Sequence, residues 1–435
     1  MRGRFLLALL SLIVAVVAVA AAGSAGAATL LSETTWGGPV SEVTEESAVA
    51  PDGSSYLAGF TTSFDQFGQE NLFVVKFGAD ALLAWQRRWD GPEVFGNDRA
   101  TDVAVAPDGS VYVTGSTFGV GGDALLLKFS AEGTLVWQRR WGGSAFERGE
   151  GVAVGADGSI YVVGGTNSFG NSAFVLKFTP EGTLVWQKVW GPATGDGVAV
   201  GPDGSIYVAG TGPRPDGAFG NAVVVLKLDA SGGLLWQRAY SAAEIADARG
   251  GIAVGPDGSA YIAGAIQDAT RKVVVDALLV KFDSAGNLVW DRGWGGRSGD
   301  VSGSVGVAPD GTVLWAGETN SYGAGSDDGY LLLLSPEGRS LDGNTWGGPE
   351  IDHFEGVDAA ANGTISLGAT TQGPPFSFLR APTKTSRLRG TVATPTAPLE
   401  DAAGTLADPG GTVDTPAGTT PGGGGIDAAL VRLAP

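Results

Sequence analysis

The chain has 435 residues, 43% of them hydrophobic, with 72 glycines, no cysteine, one histidine and a formal net charge of −19. The lack of cysteine excludes disulfides, a thiol nucleophile, a lipid-anchoring thiol and a thiolate metal centre, so stability must come from burial. The acid excess repels nucleic acid and anionic membrane and attracts cations or basic partners, and it also serves plain solubility.

Residues 1–27 read as a secretory signal: Arg2 and Arg4, an apolar run from Phe5 to Ala22, then small residues ending in Ala25-Gly26-Ala27. Cleavage after Ala27 is expected, although the apolar run is long enough to span a bilayer uncleaved. No second run of that length follows, so the remainder, 28–435, is expected to be exported and not inserted in a membrane.

From there the chain repeats itself. A two-residue turn signal recurs at Asp52-Gly53, Asp108-Gly109, Asp157-Gly158, Asp203-Gly204, Asp257-Gly258, Asp310-Gly311 and Asn362-Gly363. Short β-type runs flank each one, such as Val103-Ala104-Val105 and Val111-Tyr112-Val113, so each signal predicts a hairpin whose glycine takes the positive φ of a tight turn. A third run follows, Asp123–Phe129 in one copy and Ala173–Phe178 in the next, apolar without alternation and hence covered on both faces. The fourth run, Thr134–Gly143, ends on an aromatic that recurs at Trp36, Trp89, Trp141, Trp190, Tyr240, Trp294 and Trp346. An inner tryptophan (Trp85, Trp137, Trp186, Trp236, Trp290) stands four residues earlier and so on the same strand face, which predicts packing between neighbouring units. Turns and aromatics independently count seven units of about fifty residues, the size of a four-stranded propeller blade. The fold class is therefore all-β, a seven-bladed β-propeller.

The two ends complete each other. Thr29 to Gly38 matches a fourth strand without its first three, and Asp427–Leu433 matches a third strand with no fourth after it. Pairing them would close the ring and remove exposed strand edges. Phe376–Arg380 is the rival third strand. Residues 371–426, rich in Thr, Pro and Gly, read as a flexible insertion in the last blade, a spacer or a lid.

These motifs, the Asp-Gly-Ser turns, the Asp-Ala-(apolar)-Lys-Phe strand and the Gly-x-Leu-x-Trp-x-x-x-Trp-Gly-Gly end, resemble the secreted β-propeller repeat family abbreviated SBBP. That resemblance covers the chain after the signal except about 374–426, and it implies an exported propeller without implying an activity. The segment Asp229–Trp236 is also similar to the tryptophan-docking motif of quinoprotein dehydrogenases, which implies a quinone cofactor held by a larger ring.

Loops of one disc face repeat almost unchanged, whereas the second-to-third and blade-to-blade loops of the other vary, as in Val94–Ala100, Thr211–Gly220, Ala242–Arg249 and Ile266–Val273. Variation frees residues for binding, so a site is expected on the variable face. Aromatics recur there at Phe67, Phe118, Phe169, Phe219 and Tyr322, either as repeat architecture tucked between blades or as a stacking ring for sugars. At the entry of the first strands stand Glu45 with Glu46, Thr101 with Asp102, Glu150, Asp196 and Glu355. Two readings of these acids stand: solvated groups at a wet channel mouth, or oxygen donors for Ca²⁺ or another divalent cation, with Glu45, Asp102, Glu150, Asp196 and Glu355 as its ligands. Asp327-Asp328 reads as a turn cap.

His353 is the sole histidine, which excludes metal sites built from several imidazoles and reduces any general-base scheme to one residue. No catalytic set is assembled by the sequence. The expected function is an extracytoplasmic, monomeric scaffold that binds an extracellular protein or glycan, with a cation-dependent hydrolase or lyase in the channel mouth as the alternative.

Overall fold

The computed structural model describes residues 28–64, 67–93, 96–118, 122–242, 245–267, 275–373, 376–395, 397, 399–402, 405–407, 412–414 and 426–434. Residues 1–27, where the signal is expected, and parts of the loops at 94–95 and 268–273 lie outside them. The described residues form β-strands and no α-helix, arranged as seven antiparallel sheets in a ring. The molecule is a seven-bladed β-propeller.

Six blades are built from consecutive strands. The second, for example, runs Asp98–Val105, Val111–Thr117, Asp123–Phe129 and Leu135–Gly142 in spatial order. The seventh takes Asp352–Ala359 and Ile365–Thr371, then Asp427–Ala434, and finally Thr29–Trp36 on its outside. The Thr29–Trp36 register sets Glu33 opposite Val431 and Trp36 opposite Ala428. Arg432 carries the join to the first blade, its guanidinium donating to the carbonyls of Ala79, Gly53 and Gly78. Phe376–Arg380 is not part of this blade. Ser377–Arg380 pairs instead outside Ser340–Gly347 as a fifth strand of the sixth blade.

The third strands explain how the blades stack. In Asp123–Phe129, the side chains of Leu125, Leu127 and Phe129 pack with Tyr56, Val74 and Trp89 of the first blade. Ala124 and Leu126 face the other way, against Val162 and Phe174 of the third. A strand apolar on both faces is what a radial stack requires. Each large side chain so buried contributes about 1.5–3 kcal/mol. Both tryptophan columns also reach the next blade. Trp85 and Trp137 donate their indole N–H groups to the carbonyls of Ala131 and Pro180, in the next blade's turn, at 2.9 and 3.0 Å. Trp89 and Trp141 donate to the Gln138 and Gln187 side chains.

The Thr/Pro/Gly-rich stretch is a correction to its composition. Where described, it runs along the outer rim, adding Thr391–Ala393 to the fourth blade, Leu399–Asp401 to the third, Thr405–Ala407 to the second and Thr412–Asp414 to the first. At the fifth blade a single bridge joins Ser386 to Gly293. These four strands are three residues long, too short to show as strands in a sequence, yet each satisfies backbone groups that an outer strand leaves open.

Candidate functional site

The inner strands carry one irregularity in common. Their pairing with the second strand slips by one residue between Thr44 and Glu46, Ala100 and Asp102, Gly149 and Gly151, Gly195 and Gly197, Ser302 and Ser304, and Phe354 and Gly356. A bulge inserts one unpaired residue and re-aims its side chain. The inserted residues are Glu45, Thr101, Glu150, Asp196, Gly303 and Glu355. In the fifth blade the strand breaks outright, into Ile245–Asp247 and Ile252–Val254, and Arg249 lies in the gap.

All five predicted cation ligands line the channel, and four of them meet at its mouth. Glu45, Glu150, Asp196 and Glu355 line a cavity of about 610 Å³ at one mouth of the channel, together with Arg148, Asp247, Arg249, Glu318 and His353. Asp102 lines the channel but not this mouth cavity. One residue past its bulge, its carboxylate accepts the backbone N–H groups of Val103 and, across the blade junction, Val152 at 2.6 and 2.7 Å. It is a staple between blades, as is Asp358, which accepts from Val49 and Ala359. Among the described residues no three Asp, Glu or His side chains converge closely enough to cage a metal ion.

The mouth is electrostatically tense. Burial, reinforced by the Glu355 charge, pushes the Glu45 carboxyl up to about 7. Burial likewise pushes Glu150 up to about 7; Arg148 opposes this and the Asp196 and Glu45 charges add to it. Asp196 is also raised by burial, against the Thr211 and Thr194 hydroxyls that donate to it at 2.6 and 2.7 Å. His353 is not a surface residue. Its Nε2 lies 3.0 Å from Glu355 Oε1 and its Nδ1 3.9 Å from Glu318 Oε2. Burial would lower the imidazole, but the Glu355 hydrogen bond and the surrounding acids raise it, favouring the imidazolium. Arg148 pairs with Glu150 at 3.2 Å and Arg249 with Asp247 at 2.9 Å.

From this mouth a shallower cavity of about 560 Å³ runs outward over the third blade, sharing Arg148, Glu150, Thr194, Thr211 and Asn221 and adding Phe146, Asn167, Asn171 and Pro192. The predicted aromatic column divides here. Phe169 lies 6.0 Å from the Trp141 ring and Tyr322 5.3 Å from Trp294, so both are repeat architecture. Phe67, Phe118 and Phe219 are exposed, Phe219 to 87%, and Phe118 sits 6.2 Å from Phe146 at the border of the outer cavity.

Sequence reasoning missed Arg148, Arg249, Asp247 and Glu318. Arg148 stands two residues before the bulged Glu150 on the same strand and was recoverable; Arg249 depends on a broken strand that no motif announces.

No family model matches the sequence, and no curated protein matches it. Among solved structures, the chain is similar to the WD40 domain of Pan2 from Neurospora crassa, at 13% identity and a TM-score of 0.48 over 78% of this chain and 91% of that one. It is similar to the β-propeller domain of the Trilobed protease from Pyrococcus furiosus, at 11% identity and a TM-score of 0.45 over 79% and 97% of the two chains. A Dyadobacter fermentans protein of unknown function is also similar, at 11% identity and a TM-score of 0.43 over 94% and 99%.

Proposed function

We propose that the chain is a secreted, monomeric propeller of the SBBP repeat type that serves as a binding scaffold, receiving an extracellular protein or glycan at the channel mouth and on the variable loops around it. The supporting observation is the unbalanced charge of the mouth. Its carboxylates outnumber Arg148, Arg249 and His353, and two of them are held near pH 7 by burial and mutual repulsion. A ligand bringing an amine or guanidinium, with hydroxyl or amide donors beside it, relieves that repulsion. The outer cavity supplies Asn167, Asn171 and Asn221 for further hydrogen bonds, and Phe118 for apolar contact.

The test is a panel of amino-sugar glycans, neutral glycans and basic peptides, with wild type compared to Glu150→Gln/Glu355→Gln. Binding of a cationic ligand that weakens with salt and falls at least about tenfold in the double variant is expected. Equal binding of both proteins, or none, removes this reading.

The alternative, a cation-dependent hydrolase or lyase, is favoured by one observation: Glu45 and Glu150 titrate near 7, the poise that general acid–base chemistry uses. Turnover of a substrate, lost in Glu150→Gln and dependent on added divalent cation, would establish it over the scaffold.

A further inference from the structure

A second set of acids lies away from the mouth, at the junctions between blades. Each junction apposes a residue at the start of a third strand to one at the start of the next blade's inner strand. Four junctions set two acids there: Asp123 with Glu147, Asp276 with Asp300, Asp328 with Asp352, and Asp427 with Glu42. A fifth has Asn71 with Asp98, and here Asp90 supplies the second carboxylate, standing where the others have glycine. The remaining two have neither acid, only Ser172 with Ala193 and Ala222 with Ala246. Acids come in twos or not at all.

Two neighbouring features follow the same division. Trp-Gly-Gly occurs at the four double-acid junctions, as Trp36-Gly37-Gly38, Trp141-Gly142-Gly143, Trp294-Gly295-Gly296 and Trp346-Gly347-Gly348, and at none of the others. A threonine faces the inner-strand acid across the hairpin wherever that acid is present, at Thr61, Thr117, Thr166, Thr319 and Thr371; Gly212 and Ile266 replace it at the two acid-free junctions. The geometry explains the glycines. A Cβ on Gly295 would lie 2.5 Å from Asp276 Oδ1 and 2.7 Å from Asp300 Oδ2. Those oxygens are thus within about 5 Å of each other, no wider than two donors on opposite sides of one Ca²⁺. Gly37, Gly142 and Gly347 are flanked in the same way. The second glycine's N–H donates to the inner-strand acid, at 2.7 Å from Gly38, 2.8 Å from Gly143 and Gly296, and 2.6 Å from Gly348.

At the sixth junction the carboxylates keep unused acceptors. Asp328 and Asp352 are 1% and 0% exposed, and Oδ1 of each is buried without a hydrogen bond. Asp328 Oδ1 is the atom turned against Gly347, toward Asp352. Its other oxygen accepts Gly325 N–H at 2.9 Å. At the first junction Asp98 Oδ1 and Asn71 Oδ1 are buried and unbonded in the same way. Two buried carboxylates facing each other need a positive charge beside them; at the Asp123–Glu147 junction Arg140, 3.1 Å from Asp123, supplies part of it.

We propose that the double-acid junctions are binding sites for a hard divalent cation, Ca²⁺ or Mg²⁺, which ties the third strand of one blade to the inner strand of the next. The donors are all oxygen, two carboxylates completed by water or backbone carbonyls, a set that suits these ions and not a soft transition metal. The sites are separate from the channel mouth and stand whether or not that mouth binds a ligand.

Elemental analysis and calorimetric titration with Ca²⁺ and with Mg²⁺ on the intact exported protein test this. About three equivalents per chain are expected, and a fourth, weaker one where Arg140 already pairs with Asp123, with Tm lower by about 5 °C or more in chelator. Asp328→Asn should lose one equivalent; Asp276→Asn does the same at another junction should the first variant fold poorly. Glu150→Gln/Glu355→Gln should retain them all. Metal-free protein whose Tm ignores Ca²⁺, Mg²⁺ and chelator overturns the proposal. Cations lost in the mouth variant, and kept in Asp328→Asn and Asp276→Asn, overturn it equally.

Discussion

The two faces of the disc use the same residue types to opposite ends. On the constant face, Asp52, Asp108 and Asp157 accept the backbone N–H of the serine two residues on, at 2.8, 2.9 and 2.9 Å, and that bond holds each carboxyl below its ordinary value. Burial opposes the shift most strongly at Asp203 and Asp257, yet the Ser205 and Ser259 bonds together with the Lys227 and Lys281 ammonium groups outweigh it. On the variable face, Glu45 and Glu150 are pushed up because burial removes water and supplies too little in exchange. An acid satisfied by its own turn is part of the scaffold, whereas an acid held by its surroundings in an unfavourable state is available to a ligand.

This contrast is open to attack by substitution and pH. The largest effect should come from the aromatic column, where Phe169→Ala removes a ring packed on Trp141 and costs about 3 kcal/mol by urea unfolding, while Phe219→Ala, 87% exposed, changes stability by less than about 0.5 kcal/mol. Equal costs would erase the division between packed and free aromatics.

Next in size is the pH dependence, measured in chelator. Folding raises the carboxyls of Glu45, Glu150 and Asp102 to about 7 and Asp358 to about 6, so the stability they contribute is complete below their ordinary values of 4.5 and 3.8 and is lost as pH rises through 6 and 7. Tm should rise by about 5 °C or more between pH 8 and pH 5. The turn aspartates act in the opposite window: their contribution is present above 3.8 and fails only as pH falls below it. A flat profile from 5 to 8 would show that the mouth acids are not strained.

Smaller, and opposite in sign between the faces, are two single substitutions. Asp157→Ala should cost about 1 kcal/mol at every pH from 5 to 8, having lost a turn hydrogen bond. Glu150→Gln should raise Tm by a few degrees at pH 8 and leave it unchanged at pH 5, where the wild-type carboxyl is already neutral. Thermal scans of both at both pH values decide the matter.

The scaffold face was readable from the chain because each blade repeats the same turn and the same two aromatics. The site was readable only in part, for reasons specific to its residues. Glu45 and Glu46, or Thr101 and Asp102, are neighbours in one column of the repeat and all four line the channel; which of them is re-aimed by the bulge is something alternation alone does not reveal. All five predicted acids line the channel, but Glu45, Glu150, Asp196 and Glu355 also reach its mouth, whereas Asp102 is turned to the blade junction. The rim pieces Thr391–Ala393, Leu399–Asp401, Thr405–Ala407 and Thr412–Asp414 carry no period, because each pairs by backbone alone with an edge that supplies the order. The junction acids were in plain view as a column, but a column becomes a pair only when strands from different blades are laid side by side.

The rim segment has a bearing on how the molecule reaches its final state. Between Thr371 and Asp427 the polypeptide visits the sixth, fifth, fourth, third, second and first blades in turn, a full circuit made before the last inner neighbour of Thr29–Trp36 is delivered. Such a girdle can seat only on blades that have already formed, so the most distant contacts are also the last to be made. A chain with one defective blade would offer it a gap, and the ends would be left apart for degradation to find.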